Sequence, residues 1–123
     1  RVRGLAQSIA SEIQPLNNLG VMQYLTNEMN QPAEANGAWM SHWIARGFSA
    51  VETWLESSAT GRFCQGDTPG LGDCFLVPHV YNAERYSCDL EPFPNIRRIT
   101  ASCRELPAFE RAAPESQPDA PAD

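Results

Sequence analysis

Between Val2 and Met29 the apolar residues fall at Val2, Leu5, Ile9, Ile13 and Leu16, then at Val21, Tyr24 and Leu25. Steps of three and four place them on one face of a helix, and the alternation of a half-buried strand is absent. Pro15 removes a backbone donor in the middle of this run, so a bend is expected there. Its polar neighbours Gln14, Asn17 and Asn18 read most simply as a solvated face. A second run opens after Pro32, a residue suited to a first helical turn. It passes through Ala35, Trp39, Trp43, Ile44, Phe48, Val51, Trp54 and Leu55 and ends near Ser57. Its three Trp read as a heavy core element rather than a cofactor-stacking surface.

Residues 60–72 carry Gly61, Gly66, Gly70 and Gly72 with Pro69, and read as a loop. Their spacing fits neither of the common glycine-rich phosphate cradles. The helical pattern resumes with Leu71, Cys74, Phe75, Val77 and Val80 and should end near Tyr86, with a bend at Pro78. Pro92 and Pro94 push residues 89–94 toward an extended connection. Ile96, Ile99 and Cys103 begin another helix, and a short one follows Pro107. From Ala112 onward, Pro114, Pro118 and Pro121 lie among Ala, Ser, Glu and Asp, the composition of a mobile or surface-lying tail. The expected class is therefore all-α, a bundle of about five helices spanning residues 1–112, followed by a Pro-rich tail over 113–123. A chain of 123 residues has room for one core.

Charge and cysteine usage exclude several functions. Nine Arg, no Lys and 15 acidic residues give a net charge of −6. That balance argues against sequence-independent nucleic-acid binding and against anionic membranes as partners. Cys64, Cys74, Cys88 and Cys103 lack the paired spacing of a zinc knuckle, and His42 and His79 lie far apart, so no metal site is expected. The cysteines read as reduced small hydrophobes of a cytoplasmic protein. The chain opens on Arg1 with no basic stretch leading into an apolar run, so no secretory signal is expected, and a start other than Met points to a piece of something longer or processed.

Three stretches carry a family resemblance: Ile13-Gln14-Pro15-Leu16-Asn17-Asn18-Leu19, then Leu71-Gly72-Asp73-Cys74-Phe75-Leu76-Val77-Pro78-His79-Val80, and Asn82-Ala83-Glu84-Arg85-Tyr86 with Asp89-Leu90. With Pro92-Phe93-Pro94-Asn95-Ile96 and Gln117-Pro118-Asp119, they resemble the zeta class of glutathione S-transferases, in particular bacterial maleylpyruvate and maleylacetoacetate isomerases. The resemblance covers the C-terminal helical domain only, and implies a thioredoxin-like domain, absent from this sequence, that would carry the thiol-activating motif. No catalytic residue is expected here, and the chain alone should be inactive.

The resemblance further implies a glutathione-dependent cis–trans isomerisation of a maleyl-type diacid, in a homodimer. Arg85 stands where the family's substrate-binding Arg falls, and would hold a carboxylate bidentately. Gln14 and Asn18 match glutathione contacts, and Leu19 and Gly20 lie on the same stretch, although members of the family place Arg or Ser at those two points. Asp73 fits the family's helix-capping acid, with Gly70 where a Ser or Thr usually completes the capping pair. Gly72, inside the helix, should cost up to about 1 kcal/mol relative to Ala. His79 has no nucleophile or carboxylate in sequence to partner it and reads as a packed or surface His. Two other readings stand beside this one: a free-standing helical binding module, and a general glutathione-conjugating transferase.

Overall fold

The computed structural model describes residues 1–120, and among them every regular element is a helix, with one isolated bridge between Thr60 and Gly66 in the 56–70 loop. Helix α1 (Val2–Gln7) passes into a π-helical turn (Ser8–Ile13) and a 3-10 turn (Gln14–Asn17), and α2 (Leu19–Asn27) follows. Then come α3 (Ala33–Leu55), α4 (Leu71–Arg85), α5 (Pro94–Arg104), α6 (Pro107–Ala112) and a 3-10 turn (Pro114–Ser116). These are the five helical segments expected, with the first divided in two.

The expected bend at Pro15 is a full break. Without the Pro15 N–H the helical ladder loosens, the winding changes twice within ten residues, and Asn18 leaves the helix with ψ of 160°. The break frees the Leu16 carbonyl, and the Trp39 indole N–H donates to it at 2.7 Å. Asn17 corrects the solvated-face reading, because it is buried and its Nδ2 donates to the Ile13 carbonyl at 3.1 Å.

Helix α3 is the spine of the bundle. Met40, Ile44, Phe48, Val51 and Leu55 are buried along one stripe, and Phe48 meets Phe93 edge-to-face with ring centroids 5.7 Å apart. The three Trp do not form that stripe as expected. All are only half-buried, because they sit one position off the buried steps, on its flanks. Trp39 and Trp54 still pack against the core, whereas Trp43 lies outside it beside Trp39, His42 and the guanidinium of Arg46.

Helix α4 packs between α1 and α5 and buries Leu76, His79, Val80 and Ala83. Its Gly72 reverses the sign expected from helix propensity. A Cβ there would lie 3.0 Å from Leu5 Cδ2 and 3.2 Å from Cys64 Cβ, so the missing side chain is what lets α1 and the 60–72 loop close on α4. Glu52, buried on α3, caps α5 from a distance. Its carboxylate accepts from the Asn95 N–H and Nδ2 at 2.8 Å each and from the Ile96 N–H at 3.0 Å. Phe93, at the N-cap position, has no side-chain acceptor for those orphan donors.

The tail is surface-lying over the described residues. Ser116 Oγ donates to the Glu110 carbonyl at 2.7 Å, and Gln117 Nε2 donates to the carbonyls of Arg111 and Ala113 at 2.9 and 3.0 Å. Pro121 lies outside the described residues, as does the last part of the expected tail. Among the described residues, no helix is long and apolar enough to cross a membrane.

Candidate functional site

The break at Asn18 creates the first part of the site. Asn18 Oδ1 accepts from the Val21 N–H at 3.1 Å while its Nδ2 donates to the Pro15 carbonyl at 2.7 Å, so its side chain is the N-cap of α2 and locks the turn before it. The Asn18 carbonyl takes the N–H groups of Val21 and Met22. That leaves the N–H groups of Leu19 and Gly20 at the positive end of the α2 dipole, without a carbonyl acceptor among the described residues. Gln14 is exposed one turn earlier on the same stretch, with no hydrogen bond from its side chain, and Leu19 turns an apolar side chain to solvent at 70% exposure. On this stretch Asn18 spends its amide on the turn, and what faces a ligand is the Gln14 amide and the two free backbone donors of Leu19 and Gly20, a set suited to carboxylate and peptide groups.

Arg85 closes the last turn of α4 and is exposed. It makes no ion pair or hydrogen bond among the described residues, whereas Arg104, on the neighbouring helix, is taken by both oxygens of Glu84 at 2.7 and 3.0 Å. The free guanidinium therefore keeps its whole donor fork for a ligand. No hydrogen bond or ion pair links Arg85 to the 14–20 stretch among the described residues.

Asp73 lies at the opposite end of α4, about 18 Å of helix from Arg85. Its Oδ2 accepts from the Gly70 N–H at 2.8 Å, and its Oδ1 accepts from the Cys64 N–H at 2.9 Å and, weakly, from Cys103 Sγ at 3.8 Å. Asp73 is thus more than a cap, since it also pins the 60–72 loop, in which Gly66 adopts φ of +67°. Gly70 offers no side-chain oxygen for the reverse bond. Burial, then the Asp73 carboxylate, pushes the Cys64 thiol far up and the Cys103 thiol up to about 12, so both stay protonated and unreactive. All four cysteines are free, and Cys74 alone is exposed. His79 is buried, edge-on to Phe48, with no partner for Nε2, and burial lowers its pKa to about 4. A neutral imidazole enclosed in the core is no general base for a surface site.

A feature missed in the sequence is an apolar cleft of about 700 Å3 between α4 and α6, walled by Val77, Pro78, Tyr81, Ala108 and Phe109. Tyr81 stands one turn before Arg85 on the same helical face, a spacing legible in advance.

No family model matches the chain. Over 120 residues, 97% of its length, it is 46% identical to the maleylpyruvate isomerase of a Ralstonia species, of which it covers 57%. It superimposes with a TM-score of 0.96 at 45% identity on a holo structure of maleylpyruvate isomerase, a bacterial zeta-class glutathione S-transferase, covering 98% of this chain and 57% of that one. The chain is homologous to the C-terminal helical domain of zeta-class glutathione S-transferases. A third relative is the maleylacetoacetate isomerase of Anaeromyxobacter dehalogenans, solved with dicarboxyethyl glutathione and citrate in its active site. It matches at a TM-score of 0.91 and 42% identity, over 98% of this chain and 53% of that one. The chain spans about half the length of the relatives it matches, so the zeta-class comparison covers their helical half.

Proposed function

We propose that this chain is the helical, substrate-side domain of a glutathione-dependent isomerase that converts a maleyl-type diacid to its fumaryl isomer. The observation that carries the reading is the unpaired, exposed Arg85 at the end of α4, in a chain whose solved relatives include one with a dicarboxyethyl glutathione in its active site. The guanidinium fork binds one carboxylate of the diacid and fixes its orientation, which lowers the entropic part of the barrier. Asn18 caps the turn and leaves the Leu19 and Gly20 N–H groups without a carbonyl acceptor, and they and the Gln14 amide hold a carboxylate or peptide group of glutathione. The chemistry that bound glutathione supplies is a thiolate that adds to the double bond and leaves again, making it transiently a single bond free to turn. Asp73 and Gly70 serve the fold and not the reaction.

Activation of the thiol falls to a thioredoxin-like domain outside this sequence, in a longer polypeptide. A second copy of the protein completes the assembly. Leu19, Tyr24 and Met29, exposed at 70, 60 and 53%, provide apolar surface on and beside α2 for such burial. A cytoplasmic location belongs to the same reading, supported by four free cysteines. The test is kinetic. In the complete protein, Arg85→Ala should raise KM for the diacid by about tenfold or more, the loss of a charge-assisted pair, with KM for glutathione unchanged. An unchanged diacid KM overturns the assignment.

A further inference from the structure

The two free donors at the start of α2 lack the partners that a continuous helix would give them. An N–H in an α-helix donates to the carbonyl four residues before it, which is Pro15 for Leu19 and Leu16 for Gly20. Both carbonyls are taken by side chains instead. Asn18 Nδ2 donates to the Pro15 carbonyl and Trp39 Nε1 to the Leu16 carbonyl, each at 2.7 Å. Neither the Leu19 nor the Gly20 N–H has another carbonyl acceptor among the described residues. Asn18 belongs to the stretch itself, whereas Trp39 reaches it from the first half of α3.

Helix α3 grips the stretch at two points. At Gly47 its backbone is bare, and Ile13 packs there so closely that an added Cβ would strike Ile13 Cγ1 and Cδ1. Two turns earlier, about 12 Å along the helix, the Trp39 ring packs against the core and its N–H holds the Leu16 carbonyl. Gln14 lies between the two held residues, Ile13 and Leu16.

We propose that Trp39 is a positioning residue of the glutathione site. By occupying the Leu16 carbonyl it keeps the Gly20 N–H from closing into a continuous helix, and so keeps that donor for a carboxylate or peptide group of glutathione. Trp39 acts through Leu16 and needs no contact with the ligand. The competing state is a turn in which Asn18 gives up its extended ψ of 160° and Leu16 takes back the Gly20 N–H. This inference rests on the reading of Gln14, Leu19 and Gly20 as glutathione-binding.

In the complete protein, Trp39→Phe keeps a ring against the core and removes the donor. KM for glutathione should rise about three- to tenfold, the range of one hydrogen bond, with KM for the diacid unchanged. Trp43→Phe, on the same helix but outside the core, should leave both values as they are. Hydrogen exchange of the Gly20 amide without ligand separates positioning from mere support. Trp39→Phe should slow it, because the amide recovers the Leu16 carbonyl, whereas a weakened fold would speed it. The parent protein supplies a readout that does not depend on Trp39→Phe folding. Coupling between ligand and bond is reciprocal, so saturating glutathione should slow exchange of the Trp39 indole N–H several-fold, read on the indole signal that survives in both Trp43→Phe and Trp54→Phe.

An unchanged KM for glutathione in Trp39→Phe, an equal rise in both KM values, or a Gly20 amide that exchanges as fast or faster overturns the proposal. An indole whose exchange glutathione leaves alone does the same. The reading beneath it has its own check, since bound glutathione should protect the Leu19 and Gly20 amides of the parent. Missing protection there removes the glutathione assignment and this proposal with it; protection with a silent Trp39→Phe removes Trp39 alone.

Discussion

Asp73 is the residue through which the 60–72 loop, α4 and α5 meet, and its removal is the sharpest test of how this domain is held together. The Cys64 N–H is buried and donates only to Asp73, so Asp73→Ala strands it. An unsatisfied buried donor costs about 1–3 kcal/mol. Loss of the bond to the Gly70 N–H removes the cap of α4, worth about 1 kcal/mol more. The sum is about 3 kcal/mol, or a fall in Tm on the order of 10 °C for a domain of this size. Asp73→Asn keeps the shape but sets an amide N–H against a backbone N–H on one side, so it should lose about 2 kcal/mol. Urea unfolding of the three proteins, with the slope m unchanged, gives the numbers. Native-state hydrogen exchange gives the mechanism, since the Cys64 amide should lose protection more than amides in the middle of α3. A loss below about 1 kcal/mol for Asp73→Ala, or an unchanged Cys64 amide, would refute the reasoning.

Glu52→Gln should destabilise by about 2 kcal/mol, because one of its two accepting oxygens becomes a donor facing the N-terminus of α5; a melting curve matching the parent would show that the remote cap is dispensable. Gly70→Thr should raise stability by about 0.5–1 kcal/mol through a stiffer unfolded chain and a new cap oxygen. The backbone there is extended at φ −145° and nothing lies within 4 Å of an added Cβ, so a drop in Tm would count against this account. His79 charges near its ordinary pKa of 6.5 when unfolded but only near 4 when folded, so the unfolded state takes up the proton first as pH falls. Stability is then complete above about pH 6.5 and declines toward pH 4 by about 3 kcal/mol in total. His79→Leu should remove that part of the pH dependence, and an identical acid limb in the two proteins would contradict it.

The helices were legible because their apolar steps of three and four are long and regular, and the prolines marked most of the boundaries. The details of the first segment were not. Pro15 announces an irregularity, but whether the chain bends or stops depends on where the freed carbonyls find donors, and one of those is the indole of Trp39, 23 positions from Leu16. The three Trp were misplaced for a related reason: a wide apolar stripe does not say which of its positions face inward, and Met40, Ile44 and Phe48 outcompeted the larger rings for the centre. Gly72 looked like a helix defect until Leu5 and Cys64 were seen against it.

Of the site, Gln14, Asn18, Leu19 and Gly20 were recognisable as one stretch. Their arrangement was not, because the free Leu19 and Gly20 donors exist only through the cap that Asn18 makes. Tyr81 was overlooked although it stands four residues from Arg85. Its place became plain only with the cleft, whose other wall comes from α6 and the turn after it, and no local pattern announces a wall so far away in sequence.

The most direct measurement is turnover of maleylpyruvate by the complete polypeptide that carries this chain, followed with and without glutathione. The account expects conversion to fumarylpyruvate that requires glutathione and weakens in Arg85→Ala through KM. Absence of turnover in a folded, glutathione-binding protein, or turnover that proceeds equally without glutathione, would contradict it.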